Sequence, residues 1–261
     1  TKKPFLQWFG MMKKKILNVA FSTQKGGAGK TTLTVLVASY LHYVKGYNVA
    51  VIDCDFPQHS IADMRKRDLQ MTMEDDHYKL MAYEQFSSLG KKAYVIVESS
   101  PENAMEDAKA VIEEMNPDFV FFDLPGTINN PEVVKTLSFM DYIIAPISAD
   151  QLVLESTLQY VVTINDALIT PGKAKIKGLY LLWNLVDGRE KTELYEVYED
   201  VIDKLGFPLF KTFLPDSKRF RKEQSVSHKA LFRSTLFPAD KVLVKGSNLD
   251  ILIDEMLDTL K

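Results

Sequence analysis

The sequence predicts an α/β protein with three layers, in which helices cover both faces of a mostly parallel sheet. Runs of Val, Ile, Phe and Tyr are nearly continuous, as expected for strands that are buried on both faces. These runs alternate with segments of helical periodicity, which is typical of βαβ units with right-handed crossovers. The chain of 261 residues is long enough for one large domain of this kind.

Each element follows from a local pattern. The predicted strands are Ile16–Ser22, Asn48–Asp53, Ala93–Glu98, Phe119–Asp123, Tyr142–Ile147, Leu179–Asn184 and a short Leu209–Leu214. The helices predicted between them are Lys30–Lys45, Ser60–Gln70, Ala104–Met115, Pro131–Phe139, Leu152–Leu168 and Arg189–Leu205. A final amphipathic helix has its apolar residues, Leu249, Leu252, Ile253, Met256, Leu257 and Leu260, on one face. Residues 71–92 have the weakest pattern and are a candidate variable insertion.

Composition limits the class of protein. The net charge is only −3, so nucleic-acid binding would need a local basic patch. The lone cysteine, Cys54, excludes an intrachain disulfide and fits a reducing compartment. No apolar run reaches the ~18 residues that a membrane-spanning helix needs. We therefore expect a cytoplasmic protein, with residues 1–12 as a flexible extension and residues 13–261 as a single domain.

The segment FSTQKGGAGKTT, Phe21–Thr32, joins a predicted strand to a predicted helix and has the composition of a phosphate-binding loop. Its glycines allow backbone N–H groups to surround an anion at the helix N-terminus. Lys30 is expected to neutralise the β- and γ-phosphates, and the hydroxyl of Thr31 is expected to hold Mg²⁺. The predicted nucleotide contacts are Gly26, Gly27, Ala28, Gly29, Lys30, Thr31 and Thr32.

The same loop carries a second lysine, Lys25, next to Gln24, where the standard phosphate loop has its first glycine. Two placements are open for the Lys25 side chain. It can fold back onto the phosphates that Lys30 contacts, or it can reach a nucleotide held by a second subunit. In the second placement it would act in trans, like an arginine finger.

Several segments resemble one family of nucleotide-dependent switches. KGGAGKTT resembles the deviant Walker A motif of the ParA/MinD (Soj-like) partition and positioning ATPases. VIDCDFPQ, Val51–Gln58, resembles the family's switch I segment, and FVFFDLPG, Phe119–Gly126, resembles its Walker B strand and switch II. APISADQLVLES, WNLVDGR and FLPDSKRFRKEQ follow in the family's order. Within the family, the overall sequence pattern is most similar to that of ParA-type proteins of Bacteroides-like conjugative transposons.

The resemblance implies a P-loop NTPase fold, ATP and Mg²⁺ as ligands, and a homodimer that forms on ATP binding. Lys25 would be the family's signature lysine and would contact the nucleotide of the other subunit. Lys25, Lys30 and Asp55 are accordingly the predicted catalytic residues, and hydrolysis is expected to be slow. A ParB-like or other activating protein is the implied stimulating partner.

Three carboxylates follow predicted strands, where ligands bind in open α/β sheets. The resemblance places Asp53 and Asp123 near the metal, and it gives Asp55 the role of positioning the attacking water. Phe56 departs from the family's Asp-Pro-Gln spacing, and this insertion weakens the role of Asp55. The alternative is that one of the carboxylates caps the next helix.

The resemblance also implies contacts to the adenine base. Asn184, at the end of a predicted strand, would lie against the ring, with Pro215 and Asp216 in a loop beside it. For Asn184, the alternative is an ordinary turn residue at a strand end.

Three uses of an ATP cycle remain open. A DNA-linked switch, in partition of a plasmid or mobile element or in conjugative transfer, would bind phosphates through a basic segment without reading sequence. The residues of that segment are Lys218, Arg219, Arg221, Lys222, Lys229 and Arg233, and they can instead form a solvated face or contact the nucleotide.

A MinD-like membrane or protein-positioning switch needs a basic C-terminal helix, whereas Asp250, Asp254, Glu255 and Asp258 are acidic. That helix is expected to pack on the protein and membrane contact is not expected. The third use is a synthetase that phosphorylates a carboxylate.

Overall fold

The computed structural model describes residues 15–188 and 192–260. The strands are β1 Leu17–Phe21, β2 Val49–Asp53, β3 Val95–Glu98, β4 Phe119–Asp123, β5 Tyr142–Ile147 and β6 Gly178–Trp183. The helices are α1 Lys30–Tyr43, α2 Ser60–Glu74, α3 Asp76–Leu89, α4 Ala104–Met115, α5 Pro131–Leu137, α6 Gln151–Ile164, α7 Thr192–Lys204, α8 Lys241–Val244 and α9 Leu249–Thr259. A π-helical turn, Asn165–Ile169, extends α6, and a 3₁₀ turn spans Lys218–Arg221.

Within the described residues, the strands form one sheet in the order β3-β2-β4-β1-β5-β6, and every neighbouring pair is parallel. The predicted parallel sheet is confirmed. β1 lies in the middle, where Leu17 pairs with Phe119 of β4 and Val19 pairs with Tyr142 of β5. The loop after β1 therefore opens at the centre of the carboxyl edge, which is where α/β sheets bind ligands.

Helices cover both faces of the sheet, as the alternating pattern predicts. On one face α1 packs with α9, and Leu36 and Leu41 share a buried cluster with Leu252 and Ile253. On the other face α4 and α6 cover the sheet, and their side chains join a second buried cluster that includes Ile202 of α7. The apolar stripe of α9 is buried in the protein. In residues 15–188 and 192–260 no helix combines the length and apolar content needed to cross a bilayer.

Residues 222–237 bind α1 and α2 together. Ser39 and Tyr43 of α1 donate hydrogen bonds to the carbonyl oxygens of Ser234 and Thr235, at 2.7 and 2.8 Å. The buried carboxylate of Asp68 on α2 accepts bonds from the Ser234 hydroxyl and from the amide and hydroxyl of Thr235. The segment therefore connects α1, which follows the predicted phosphate loop, with α2, which follows switch I.

Two predicted elements differ from the structure. Leu209–Leu214 is wrong as a continuous strand, because it meets β6 only at its two ends, through a bridge at Leu209 and the Leu214 amide, which donates to the Trp183 carbonyl oxygen at 2.9 Å. Between these ends, the amides of Lys211 and Thr212 donate to Glu255 of α9 instead. Residues 71–92 contain the end of α2 and the whole of α3, and the two helices pack against each other. The predicted extension, residues 1–12, lies outside the described residues.

Candidate nucleotide-binding site

The predicted phosphate loop runs from β1 to α1 at the carboxyl edge of the sheet. Gly27 and Gly29 have φ angles of 82° and 92°, which residues with a side chain rarely adopt. Because Gly29 directly precedes the first residue of α1, the loop presents the free amides of a helix N-terminus. Such amides, together with the helix dipole, form a binding site for an anion.

Asn184, one of the predicted adenine contacts, is hydrogen-bonded to the backbone of this loop. Its side-chain Nδ2 donates a hydrogen bond of 2.8 Å to the carbonyl oxygen of Ala28, and the side chain is buried. A Cβ added to Gly29 would lie 2.6 Å from the same nitrogen. Glycine at position 29 is therefore required by both the backbone angle and the close approach of Asn184.

Lys30 lies beneath the loop and next to switch II. Its ammonium nitrogen donates a 3.3 Å hydrogen bond to the carbonyl oxygen of Lys25, and a Cβ on Gly126 would come within 2.9 Å of it. Burial lowers the pKa of Lys30, while the charges of Asp123 and Asp55 act in the opposite direction. A partly desolvated cation at this position is suited to an anionic ligand, since phosphate oxygens would replace its lost hydration.

Two buried carboxylates occupy neighbouring strand ends beside the loop. Asp53 of β2 pairs in register with Asp123 of β4. The Thr31 hydroxyl donates a 2.8 Å hydrogen bond to Asp123 Oδ2, and Asp53 Oδ2 accepts the amides of Ile61 and Ala62 at the start of α2. Asp53 thus acts as a helix cap, which was the alternative role for one of the predicted carboxylates.

The remaining carboxylate oxygens fit a magnesium ion. Asp53 Oδ1 and Asp123 Oδ1 are buried and have no hydrogen-bond partner. Burial raises the pKa of Asp123 to about 7, and the nearby Asp53 and Asp55 add to the rise against the Thr31 hydrogen bond and the Lys30 charge. Oxygen ligands on adjacent carboxylates are what Mg²⁺ prefers, and a cation would relieve their mutual repulsion.

Asp55 lies on the other wall of the site. It lines the same cleft as Lys30 and Thr31, while Phe56, next to it, is 64% exposed. The carbonyl oxygen of Asp55 accepts the amides of Gln58 and His59, which forms a tight turn. The extra residue in the switch I segment is therefore accommodated by a turn that keeps Asp55 in the cleft and directs Phe56 towards solvent.

The cleft has a volume of about 520 Å³. The described residues that line it are Gln24, Gly26, Gly27, Gly29, Lys30, Thr31, Thr32, Asp55, Gln58, Ser60, Leu124 and Gly126. Lys25 is not among them, and its side chain is exposed. The two lysines of the loop therefore differ in placement: Lys30 lines the cleft, whereas Lys25 is exposed and is not part of its lining.

The predicted base contacts lie close to one another. Val186 and Pro215 form an isolated bridge, and the amide of Asp216 donates a 2.8 Å hydrogen bond to the Val186 carbonyl oxygen. Asn184 lies two residues before Val186 on the same segment. Pro215 and Asp216 therefore flank the chain that leaves β6, although the Asn184 amide group is directed to the phosphate loop.

Arg233, for which the sequence left DNA contact, a solvated face and nucleotide contact open, lies beside the phosphate loop. Its Nη1 donates a 2.7 Å hydrogen bond to the hydroxyl of Thr32 in the phosphate loop. Its Nε and Nη2 both donate to Glu223 Oε1, at 3.1 and 2.6 Å. Because Thr32 and Arg233 are separated by two hundred residues, no local signal could have connected them. Gln58 and Ser60 also line the cleft without having been predicted.

Replacing Arg233 with alanine is expected to weaken nucleotide binding roughly fivefold, which corresponds to about 1 kcal/mol. The reason is that the guanidinium group fixes the Thr32 hydroxyl, so that its proton stays available to a phosphate oxygen. A double-mutant cycle with Thr32→Val, read by calorimetric nucleotide titration, should show strong non-additivity. Arg221→Ala is the matched control, since Arg221 is exposed on the same segment. Additive effects of the two changes would contradict a positioning role.

The cations of the predicted basic segment fall into two groups, two hydrogen-bonded arginines and four exposed side chains. Arg233 is committed to Glu223 and Thr32, and the Nη1 of Arg219 donates to the carbonyl oxygens of Leu243 and Lys245. The exposed cations of the segment are Lys218, Arg221, Lys222 and Lys229. The two arginines are structural, so a basic surface here would consist of the four exposed side chains.

A parallel α/β sheet with a lysine-bearing glycine loop at the centre of its carboxyl edge, next to two buried carboxylates, defines a P-loop nucleotide-binding protein. A family model described as the CobQ/CobB/MinD/ParA nucleotide binding domain matches residues 19–229. This chain belongs to that family. The resemblance to ParA/MinD proteins is thereby confirmed, and the narrower resemblance to proteins of Bacteroides-like conjugative transposons stays a prediction.

Individual relatives are distant. The chromosome-partitioning ATPase Soj of Thermus thermophilus is 23% identical over 228 residues, which cover 82% of this chain and 87% of Soj. A structure of cobyrinic acid a,c-diamide synthase from Mycobacterium smegmatis, with bound ATP analogue and magnesium, is 18% identical and covers 95% of this chain and 96% of its own, with a TM-score of 0.57. The cell division protein MinD of Aquifex aeolicus is 17% identical and covers 94% of this chain and 96% of its own, with a TM-score of 0.57. These likenesses confirm the P-loop NTPase fold.

Proposed function

We propose that this chain is a Mg²⁺-dependent ATPase whose ATP-bound form is a homodimer that binds DNA without sequence specificity. Its setting is the partition or conjugative transfer of a plasmid or mobile element. An activating partner protein, ParB-like or of another kind, stimulates hydrolysis and releases the DNA. The protein is cytoplasmic in this proposal. The similarity to the chromosome-partitioning ATPase Soj supports this setting.

The observation that carries the proposal is the different placement of the two lysines. Lys30 lies in the cleft, beside Gly126 and Thr31. Lys25 is exposed and does not line that cleft, although only four residues lie between the two in the sequence. An exposed lysine outside the lining of its own site is suited to contact the nucleotide of a second subunit. There it would offset charge that develops during phosphoryl transfer.

The chemistry within one subunit is assigned to its own residues. The backbone amides at Gly26–Gly29 and the Lys30 ammonium group hold the phosphates, and Thr31, Asp53 and Asp123 hold Mg²⁺. When bound, Mg²⁺ neutralises charge on the phosphate oxygens. Asp55, on the opposite wall of the cleft, orients the attacking water.

DNA contact is assigned to the four exposed cations Lys218, Arg221, Lys222 and Lys229. The chain as a whole is acidic, so this segment is a local exception. Dimerisation would double the number of cations, and neutralising several phosphates would give affinity that falls steeply with salt.

The alternative is a MinD-like positioning ATPase that does not bind DNA, and a likeness of fold to MinD is compatible with it. Against membrane attachment through the C-terminal helix, the apolar stripe of α9 is packed in the cluster that it shares with α1, and its exposed residues include Asp254 and Asp258 beside Ile251. A synthetase that phosphorylates a carboxylate would need a substrate pocket continuous with the cleft. The cleft residues supply no second cation for such a substrate among those described.

The experiment is binding of a random DNA duplex, with ATP and with ADP, by the wild type and by Lys25→Ala. We expect binding only for the wild type with ATP, and weaker binding at the higher of two salt concentrations. Lys173→Ala, which removes an exposed lysine before β6, is the matched control and should bind like the wild type. Sedimentation of the same samples should show an ATP-dependent dimer for the wild type and the control.

Two results would contradict parts of the proposal. Equal dimerisation and turnover by Lys25→Ala and the wild type would exclude the action of Lys25 in trans. Nucleotide binding and dimerisation without DNA binding in any state would remove DNA from the proposal and favour the positioning ATPase.

A further inference from the structure

Helix α7 carries an apolar stripe that is directed to solvent. Leu194, Val197, Val201 and Leu205 are 37%, 59%, 40% and 45% exposed. They recur at intervals of three and four residues, so they form one continuous line along α7 and the residue after it. Most amphipathic helices bury their apolar line, whereas this helix has a second, exposed line beside its buried one.

The inner side of α7 is already occupied. Ile202 is buried, and the rings of Tyr195 and Tyr198 contact Trp183 of β6 at centroid distances of 4.9 and 6.4 Å. The Trp183 ring nitrogen also donates a 2.9 Å hydrogen bond to Glu199. The packing of α7 on the sheet edge is therefore complete without the outer stripe.

An acidic row runs beside the stripe. Glu193, Glu196, Asp200 and Asp203 are all exposed. The first three each directly precede a stripe residue, which places them about 100° around the helix from the stripe, since 3.6 residues make one turn. No ion pair neutralises these four carboxylates within residues 15–188 and 192–260. The exposed surface of α7 thus combines a narrow apolar line with an acidic edge, beside which Lys204 supplies a single cation at the end of the helix.

We propose that this surface, the α7 face, binds a basic amphipathic helix of another protein. The apolar side of that helix would cover Leu194, Val197, Val201 and Leu205, and its lysine or arginine side chains would lie against the acidic row. None of the residues that line the nucleotide cleft belongs to α7, so the cleft stays accessible when the α7 face is occupied.

Charge and size favour this occupant over others. Nucleic acid and anionic lipid would be repelled by the acidic row. Antiparallel pairing with the α7 face of a second copy would bring two acidic rows side by side. The stripe is about 16 Å long by helical rise, and four partly exposed side chains supply much less than the ~800 Å² per partner of a standard protein interface. A single helix matches these dimensions.

The test uses two fluorescent model helices with leucine at the same positions, one with lysine and one with glutamate on its polar side. Anisotropy titration with the full chain, without nucleotide, should show binding of the lysine helix and not of the glutamate helix. Val197→Ser with Val201→Ser should weaken that binding at least tenfold, because the apolar contact is lost. Glu196→Lys with Asp200→Lys should weaken it similarly and should create binding of the glutamate helix. Val242→Ser with Ile251→Ser is the matched control, since these side chains are exposed elsewhere, at 79% and 57%.

Equal affinity of all variants for the lysine helix would overturn the proposal, because the contact would then lie elsewhere. Self-association of the wild type that is lost in the two-serine α7 variant would assign the α7 face to a second copy and would also overturn it. The same holds if Phe5→Ser with Trp8→Ser, in the full chain, raises the affinity for the lysine helix. That result would show that the chain's own first residues compete for the α7 face.

Discussion

Lys30→Ala is expected to lower the affinity for Mg²⁺-ATP at least a hundredfold, a loss of about 3 kcal/mol. Among the described residues that line the cleft, Lys30 supplies the cationic side chain, and burial has already removed part of its hydration. Its removal would leave the phosphates without a cationic side chain from the cleft lining, beside the carboxylates of Asp53, Asp55 and Asp123. Isothermal titration of the purified variant with Mg²⁺-ATP measures the loss.

Lys25→Ala is the matched control, because it removes the same type of side chain from the same loop. Since Lys25 does not line the cleft, nucleotide affinity of the monomer should remain within about twofold of the wild type, or ~0.4 kcal/mol. Nearly equal losses for the two variants would show that both lysines hold the nucleotide of their own subunit.

Gly29→Ala is expected to destabilise the protein by about 2–4 kcal/mol and to disrupt the phosphate loop. Part of this cost is the left-handed backbone, with φ of 92°, which costs an alanine about 1 kcal/mol. The remainder comes from the new Cβ, which would lie 2.6 Å from the Asn184 Nδ2. Either Asn184 moves and releases the Ala28 carbonyl oxygen, or the loop moves. Denaturant unfolding and nucleotide titration together measure both consequences.

Gly27→Ala separates the two causes. Gly27 has a similar φ of 82°, and a Cβ there would meet no atom within 4 Å. It should therefore show the backbone cost alone. In an Asn184→Ala background, the cost of Gly29→Ala should fall towards that of Gly27→Ala, since the close contact is gone. An unchanged cost in that background would exclude Asn184 as the reason for glycine at position 29.

The sheet was predictable because its signal is local. The strands are largely apolar runs of four to six residues, and the glycine loop identifies the end of β1. Residues 209–214 also contain apolar residues, but they form no continuous strand, and Glu255, distant in sequence, accepts the amides of Lys211 and Thr212 in their middle. A local pattern could not reveal that competition.

The candidate site was predictable in its position and only partly in its contacts. Strand ends at Asp53 and Asp123, and the loop at Lys30, necessarily meet at one edge of a parallel sheet. The hydrogen bond from Asn184 to Ala28 and that from Arg233 to Thr32 connect residues far apart in the chain. Arg233 had the appearance of a surface cation in the sequence, because a charge run carries no information on which of its members is directed inward.

The central position of β1 has a consequence for how the protein is made. Its sheet neighbours are β4 and β5, so β1 gains its first strand partner only after Asp123 has left the ribosome and its second only after Ile147. The contacts of α1 are completed later still, because Ser39 and Tyr43 donate hydrogen bonds to Ser234 and Thr235, which lie 195 and 192 residues further along the chain. Non-local pairings of this kind form late and slowly. A nascent chain therefore carries its glycine loop long before the contacts that surround that loop can form.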